Sequence, residues 1–195
     1  VFGDTNKASG LTVNSLIVGK NNKEENKSGN NITSGGLNEI NDSSNNMTSG
    51  VFNRLTDVSG GIVGGHNNQL TKLENSLIIG KDSIVSDSKR VLVYGSGHQV
   101  IKSTLKDATR NSLIGGRANI DSGGNSNTVF GFNNNLTDVS NVLVNGMNNV
   151  LSTDSQSIIL GDSNISVSTV NGITIGKSNT TKNITTVRKY RHCQV

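Results

Sequence analysis

The amino-acid sequence predicts an all-β fold, a β-solenoid of about twelve coils with 15 residues each. Three observations lead to this prediction: a short apolar phrase ending in glycine recurs, its spacing is nearly constant, and asparagine follows it at a fixed distance. The glycines of the phrase are Gly3, Gly19, Gly35, Gly50, Gly65, Gly80, Gly95, Gly116, Gly131, Gly146, Gly161 and Gly176. Eight of the eleven spacings are 15 residues, and the others are 16, 16 and 21. Such a period indicates one supersecondary unit stacked on copies of itself.

The recurring phrase has the pattern of a short strand that is buried on both faces. In residues 76–80, Ser-Leu-Ile-Ile-Gly, the side chains of Leu77 and Ile78 point to opposite faces of a strand. Apolar residues at both positions are typical of a doubly covered, parallel strand. We predict that the position three residues before the glycine belongs to the core. Its members include Leu16, Ile62, Leu77, Leu92, Leu113, Leu143, Ile158 and Ile173.

A second apolar site follows about five residues after the glycine. It is occupied by Ile40, Leu55, Leu70, Val85, Val100 and Leu136, usually between polar neighbours. Alternation of this kind indicates a second strand with one covered face. Each coil therefore contains two short strands and two turns.

Glycine and asparagine occupy the predicted turns. Asparagine stands three residues after the glycine in ten of the twelve copies, and Ser83 and His98 are the departures. The predicted structural turn residues are Gly19, Asn22, Gly65, Asn68, Gly80, Gly131, Asn134, Gly146, Asn149, Gly161 and Asn164. Glycine suits a positive φ or a close backbone approach, and asparagine tolerates the left-handed region and bonds to nearby backbone. Stacked asparagines can also bond to each other; a row of ligand-binding amides is the functional alternative.

Composition and charge narrow the function classes. Apolar residues make up 31% of the chain and aromatic residues 3%, and proline and tryptophan are absent. The single cysteine, Cys193, excludes an internal disulfide framework. The net charge of +4 favours either solubility or an acidic partner. Nucleic acid is not predicted, because the basic residues are dispersed and no aromatic platform accompanies them.

The two irregular segments are an insertion and a tail. The 21-residue spacing contains six extra residues within positions 101–110, where Lys102, Lys106 and Arg110 form the candidate ligand-binding set. Insertions in repeat proteins become loops on one face, so this one is either a recognition loop for an acidic partner or a tolerated surface loop. We predict one repeat domain over residues 1–180 and a basic, non-repeating tail or cap over residues 181–195.

Catalytic chemistry is not predicted. No His, Cys, Asp and Glu residues have metal-ligand spacing, and no glycine pair has the strand–helix context of a phosphate loop. The sequence therefore predicts no enzyme, no metal and no cofactor. The enzyme alternative is an acyltransferase on a left-handed hexapeptide helix, which needs 18-residue coils and a catalytic histidine in a cleft between subunits. Ice binding through threonine rows is a further alternative, although Thr33 and Thr48 align without continuation.

One strand of each coil has an apolar face that its own coil cannot cover. Further copies of the same chain are the simplest cover, so we expect a homo-oligomer around the solenoid axis.

The phrase Ser-Leu-Ile-Ile-Gly, repeated every 15 residues without proline, resembles the YadA-like head of trimeric autotransporter adhesins. The resemblance covers residues 1–180 and departs from the family where Leu, Ile and Val replace its small alanine. It implies a left-handed parallel β-roll in a homotrimer. It also implies a bacterial cell-surface location, with the full-length protein anchored in the outer membrane by a C-terminal part beyond this fragment.

The same resemblance implies adhesion as the function. Heads of this family bind host extracellular matrix proteins, such as collagen or fibronectin, or host cell-surface receptors, and some mediate self-association between cells. No ligand-binding residue carries over, because the family has no portable binding motif. A non-adhesive trimeric solenoid, such as a segment of a phage fibre, is the alternative. Adhesion of this kind works by avidity along an extended surface, so we expect no deep pocket.

Overall fold

The computed structural model describes residues 1–10, 13–101, 109–110 and 112–190, and the side chains of residues 109–110 and 186–190 are outside this description. Every regular element in this part of the chain is a β-strand, and about 11 solenoid turns are formed. No helix that could cross a membrane occurs among the described residues. The strands are β1 (Phe2–Asp4), β2 (Lys7–Ala8), β3 (Leu16–Lys20), β4 (Lys23–Glu25), β5 (Ile32–Gly36), β6 (Glu39–Asn41), β7 (Met47–Val51), β8 (Arg54–Ser59), β9 (Ile62–His66), β10 (Gln69–Glu74), β11 (Leu77–Lys81), β12 (Ile84–Lys89), β13 (Leu92–Ser96), β14 (Gln99–Ile101), β15 (Thr109–Arg110), β16 (Leu113–Arg117), β17 (Ile120–Ser122), β18 (Thr128–Phe132), β19 (Asn135–Thr137), β20 (Leu143–Met147), β21 (Val150–Ser152), β22 (Ile158–Asp162), β23 (Ile165–Val167), β24 (Val170–Lys177), β25 (Thr180–Lys182) and β26 (Thr185–Tyr190).

The chain divides into two compact units, Val1–Gly97 (unit 1) and His98–Val195 (unit 2), where the sequence predicted one repeat domain. In unit 1 the strands β1, β3, β5, β7, β9, β11 and β13 form one sheet, and β2, β4, β6, β8, β10 and β12 form another. All of these pairs are parallel and in register by one coil, so that Gly65 pairs with Gly80 and Leu55 with Leu70. The predicted two strands per coil are therefore confirmed.

Unit 2 repeats this arrangement. Strands β16, β18, β20, β22, β24 and β26 form one sheet, and β14, β17, β19, β21, β23 and β25 form the other. The strand β26 pairs in parallel with β24, so the sheet continues ten residues past the boundary predicted at residue 180. This strand lies within the segment that the sequence predicted as a basic, non-repeating tail or cap. Residues 191–195, with Cys193, lie outside the described residues.

The coil of residues 62–76 shows how the interior is built. Val63, from the first strand, and Leu70 and Leu73, from the second, are each 1% exposed. Burial of these three aliphatic side chains supplies the hydrophobic stabilisation of this coil, about 1.5–3 kcal/mol for each side chain. The six residues predicted at the second apolar site, Ile40, Leu55, Leu70, Val85, Val100 and Leu136, are buried in the same way, which confirms the prediction that this strand is covered on one face.

The predicted core at the position three residues before the glycine is wrong for the individual chain. Leu16 is 41% exposed and Ile62 49%. The others point outward in the same way and are exposed or half-buried: Leu77, Leu92, Leu113, Leu143, Ile158 and Ile173. Successive side chains alternate between the two faces of a strand, and the coil turns the next residue inward instead. That inward position holds Ile17, Thr33, Thr48, Val63, Ile78, Val93, Ile114, Val129, Val144, Ile159 and Thr174.

The turn glycines are required by close approach between coils. Gly65 has φ +114, and a Cβ atom placed on it would lie 1.8 Å from the carbonyl oxygen of Gly80. No side chain fits that distance, and the backbone conformation itself disfavours one. The other predicted turn glycines, such as Gly19 and Gly146, meet the next coil in the same way.

The turn asparagines do not adopt the left-handed backbone conformation that the sequence predicted for them. The left-handed residue is the one before each asparagine, as at Asn67 (φ 55) and Asn133 (φ 54), and not Asn68 or Asn134 itself. The predicted bonding between stacked asparagines is confirmed. Asn68 Nδ2 donates to Asn53 Oδ1 at 2.9 Å, and the pattern repeats from coil to coil in each unit.

Candidate functional site

The asparagine row is closed to ligands. Asn22, Asn38, Asn53 and Asn68 in unit 1 are fully buried, and so are Asn119, Asn134, Asn149 and Asn164 in unit 2. Asn53 Nδ2 donates to Asn38 Oδ1 at 3.0 Å and to Gly65 O at 3.1 Å, while its Oδ1 accepts from Asn68. Because the amide donors and acceptors are already hydrogen-bonded inside the chain, this row joins the coils and presents no exposed surface to a ligand. The structural interpretation of the row is correct, and the ligand-binding alternative is excluded.

His98 belongs to the same kind of row. Its side chain is fully buried, and its Nδ1 accepts a hydrogen bond from the backbone nitrogen of Asn119 at 3.3 Å. The imidazole nitrogen therefore takes the place of the amide oxygen that asparagine supplies in other coils. His66 is exposed and lies edge-on to the ring of Phe52, with 5.7 Å between ring centroids.

The predicted recognition loop cannot be placed. Lys102 and Lys106 lie outside the described residues, and of Arg110 only the backbone, in β15, is described. Their role in ligand binding stays a prediction. Elsewhere in the described part of the chain, no group of three or more His, Cys, Asp and Glu residues could hold a metal ion.

Three carboxyl groups lie inside the coils, which the sequence pattern did not predict. Glu24 and Asp121 are 0% exposed and Asp154 is 1% exposed. Glu24 Oε1 accepts a hydrogen bond from Thr33 Oγ1 at 2.7 Å, and Asp154 Oδ1 accepts one from the backbone nitrogen of Thr169. Burial raises the pKa of Asp154 above its ordinary value. These groups face other side chains of the interior and are closed to a macromolecular substrate.

Asp121 is a buried carboxyl group whose pKa is strongly raised. It takes the interior position that Leu136 occupies in the paired strand, and its Oδ1 accepts from Asn127 Nδ2 at 3.0 Å. Burial raises the pKa of Asp121 to about 6, although the hydrogen bonds from Asn127 and Ser112 lower it. A neutral carboxylic acid is the form that this apolar surrounding favours.

We expect this carboxyl to make unit 2 less stable as the pH rises. The folded chain holds the Asp121 proton more tightly than the unfolded chain, whose pKa is near 3.8. The contribution of Asp121 to stability is therefore fully present below pH 3.8, is lost as the pH rises to about 6, and does not change further above it. The whole change is about 3 kcal/mol, from a difference of about two pKa units.

Thermal unfolding of the wild type and of Asp121→Asn between pH 4 and pH 8 measures this effect. The variant, whose amide does not titrate, should lose the part of the pH dependence that Asp121 contributes. Asp57→Asn is the matched control, because Asp57 is exposed and its φ of 58 suits either residue. Equal pH profiles for wild type and Asp121→Asn would show that the Asp121 pKa is not raised.

An apolar stripe is the most extensive surface feature of each unit. It is defined by the outward residues that lie three residues and one residue before the turn glycine of each coil. In unit 1 its large members are Leu16, Val18, Ile32, Met47, Ile62, Leu77, Ile79, Leu92 and Tyr94; in unit 2 they are Leu113, Phe130, Leu143, Ile158, Leu160, Ile173 and Ile175. Ile79 is 45% exposed and Tyr94 63%. Contiguous exposed apolar surface of this kind marks interaction sites on soluble proteins.

Comparison with known proteins gives no family. No family model matches the chain, and no curated protein matches it. One similar solved structure is that of the polySia specific acetyltransferase NeuO, with 15% sequence identity over 99% of this chain and 92% of the other, at a TM-score of 0.22. A likeness of this degree has no bearing on the activity of the present chain.

Proposed function

We propose that this chain is the head of a bacterial trimeric autotransporter adhesin, a non-catalytic binding module on the cell surface. In this proposal three copies wind as left-handed β-rolls and pack through their apolar stripes. The single observation that carries it is the stripe itself, which a folded chain leaves uncovered along coil after coil. The stripe repeats once per coil, so a surface that covers it must have the same spacing. A second copy of the same chain has this spacing.

The interior of the coils supports a binding role over a catalytic one. The buried asparagines bond to one another along their rows, and the two described histidines are a turn residue and an exposed residue in contact with Phe52. What remains for function is the outer surface, where polar side chains stand in rows one strand spacing apart. Weak contacts repeated along these rows, and multiplied by three chains, give strong attachment through avidity.

Retention of protein-coated beads on collagen, fibronectin and cultured host cells under washing tests adhesion. Beads carrying the wild-type chain should be retained on at least one of these surfaces. Beads carrying Ile62→Thr/Ile79→Thr/Leu92→Thr, which interrupts the unit 1 stripe, should be retained far less. Threonine is the substitute because it keeps β propensity, and because Thr128 already occupies the position equivalent to Ile62 and Leu92 in one coil.

The alternative function, a non-adhesive segment of a phage fibre, predicts a different outcome. Its trimer would form, but beads carrying it would be washed from every host surface. That result, together with a trimeric mass in solution, would contradict the proposed adhesion and would support only the proposed trimer.

A further inference from the structure

Two neighbouring coils of unit 1 place large apolar residues at a corner that other coils give to small, mostly polar ones. Leu37 and Phe52 have φ values of 56 and 59, where the equivalent residues include Asn21, Asn67 and Asp82. A left-handed backbone costs about 1–2 kcal/mol for a residue without a short polar side chain. Both side chains are only about half covered, since Leu37 is 43% exposed and Phe52 49% exposed. Positive φ recurs at the turns of this fold, so the feature that distinguishes these two coils is the exposed apolar surface that they place at the corner.

The corner borders a surface groove of about 260 Å³. It is lined by Leu37, Glu39, Phe52, Asn53, Arg54, Asn67 and Gln69. The rings of Phe52 and His66 form a T-shaped pair with an interplanar angle of 79°, which restrains the Phe52 side chain, and about half of that side chain stays exposed beside the polar wall. The groove therefore combines an aromatic platform with amide, carboxylate and guanidinium groups.

The charges of the groove compensate each other. Arg54 Nε donates to Glu39 Oε2 at 2.8 Å, and Lys23 Nζ lies 3.5 Å from Glu39 Oε1 and 2.7 Å from Glu25 Oε2. The side chain of Arg54 is 63% exposed, so its remaining N–H groups face solvent. Such a surface presents donors and acceptors without a strong field of one sign, which favours a neutral ligand over a charged one.

Amides complete the polar wall. Asn67 Nδ2 donates to Asp82 Oδ1 at 2.9 Å, which fixes the amide plane; its own Oδ1 accepts no hydrogen bond from the described residues. Gln69 is exposed beside it. Fixed planar amides and a guanidinium match the paired hydroxyl groups of a sugar, and an aromatic ring matches the apolar face of its C–H groups.

We infer that this groove binds a neutral oligosaccharide, with a sugar ring against Phe52 and its hydroxyl groups on Arg54, Asn67 and Gln69. The coils are stacked about 4.8 Å apart, close to the length of one sugar in an extended chain, so successive sugars meet Leu37, Phe52 and Asn67 in turn. A peptide that adds a strand is disfavoured, because the backbone of these coils is already paired on both sides. The inference needs only unit 1 and does not depend on trimer formation.

Saturation-transfer NMR with maltopentaose, cellopentaose, N-acetylchitopentaose and a mannopentaose tests the groove, and sialyllactose serves as the acidic comparison. The test variant is Phe52→Asn, which installs the residue that other coils use at this corner. Its thermal stability should equal or exceed that of the wild type, because asparagine tolerates the left-handed region. The matched control is Phe132→Asn in unit 2, because Phe132 is 45% exposed and lies against Arg117 instead of the groove.

At least one neutral pentasaccharide should bind the wild type and Phe132→Asn equally, and Phe52→Asn about tenfold more weakly or worse. No binding of any neutral sugar, equal binding by Phe52→Asn, or binding of sialyllactose alone would overturn the inference. The molar mass of each sample, measured in the same buffer, separates this result from the proposed assembly. A trimer that binds no sugar would contradict the groove inference and not the adhesin proposal. A monomer that binds sugar would support the groove inference and contradict the proposed trimer.

Discussion

Replacing Gly65 by alanine is expected to unfold the middle of unit 1, with a loss of about 4 kcal/mol or more in the free energy of unfolding. Two effects act together at this residue. Its φ of +114 is disfavoured for alanine, and the new Cβ would lie 1.8 Å from Gly80 O and 2.8 Å from Gly80 C. Because these are backbone atoms of a strand paired on both sides, no rotamer change relieves the contact.

Gly64→Ala is the matched control for this prediction. Gly64 does not have a positive φ, and a Cβ added to it would meet only Ser49 Oγ, at 3.6 Å, an ordinary van der Waals distance. The free energy of unfolding should change by about 0.5 kcal/mol or less. Denaturant unfolding of the two variants at one protein concentration gives the comparison. Similar stabilities for Gly65→Ala and Gly64→Ala would contradict the stacking of glycines described here.

Asn134→Ala is expected to destabilise unit 2 by about 3–5 kcal/mol, the cost of leaving several buried polar groups without partners. The amide of Asn134 donates to Asn119 Oδ1 and Gly146 O, both at 3.0 Å, and to Phe130 O at 3.3 Å. Its Oδ1 accepts from the backbone nitrogen and the Nδ2 of Asn149. The substitution removes all five bonds at a position that is 0% exposed in the folded chain.

The adjacent residue provides the control for the asparagine row. Asn135 is exposed at the start of β19, so Asn135→Ala should change the free energy of unfolding by about 0.5 kcal/mol or less. Hydrogen exchange of the backbone amides near Asn134 gives a second measurement, and protection should fall there first. A small effect of Asn134→Ala would mean that the row is not what joins the coils.

Much of the fold could be predicted from the sequence, because the period is read directly from Gly50, Gly65 and Gly80. The sequence could not show which face of the first strand points into the coil. The first and second positions of the strand, as at Leu77 and Ile78, are both apolar, and alternation alone does not say which one a closed coil encloses. The left-handed corner was placed one residue late for a similar reason: Asn67 and Asn68 are both suitable, and only coordinates distinguish the strained residue from the bonded one.

The candidate site was less accessible to sequence reasoning. Residues of the predicted insertion lie outside the described part of the chain, so the prediction for Lys102 and Lys106 stays untested. The groove beside Phe52 was not predicted because only the low content of aromatic residues was considered, and not their positions within the coils. A usable signal was present: Leu37 and Phe52 stand directly before the turn asparagines Asn38 and Asn53, where Asn67 and Asn133 precede the same residue elsewhere. Comparing residues by their place in the coil would have exposed both.

The molar mass of the chain in solution, measured by light scattering, tests the central claim most directly. We predict three times the mass of one chain at micromolar concentration, and the mass of a single chain for Ile62→Thr/Ile79→Thr/Leu92→Thr with an unchanged far-ultraviolet circular dichroism spectrum. A wild-type chain that stays monomeric, with its apolar stripes open to solvent, would contradict the account. It would leave two β-solenoid units whose outward residues need another explanation.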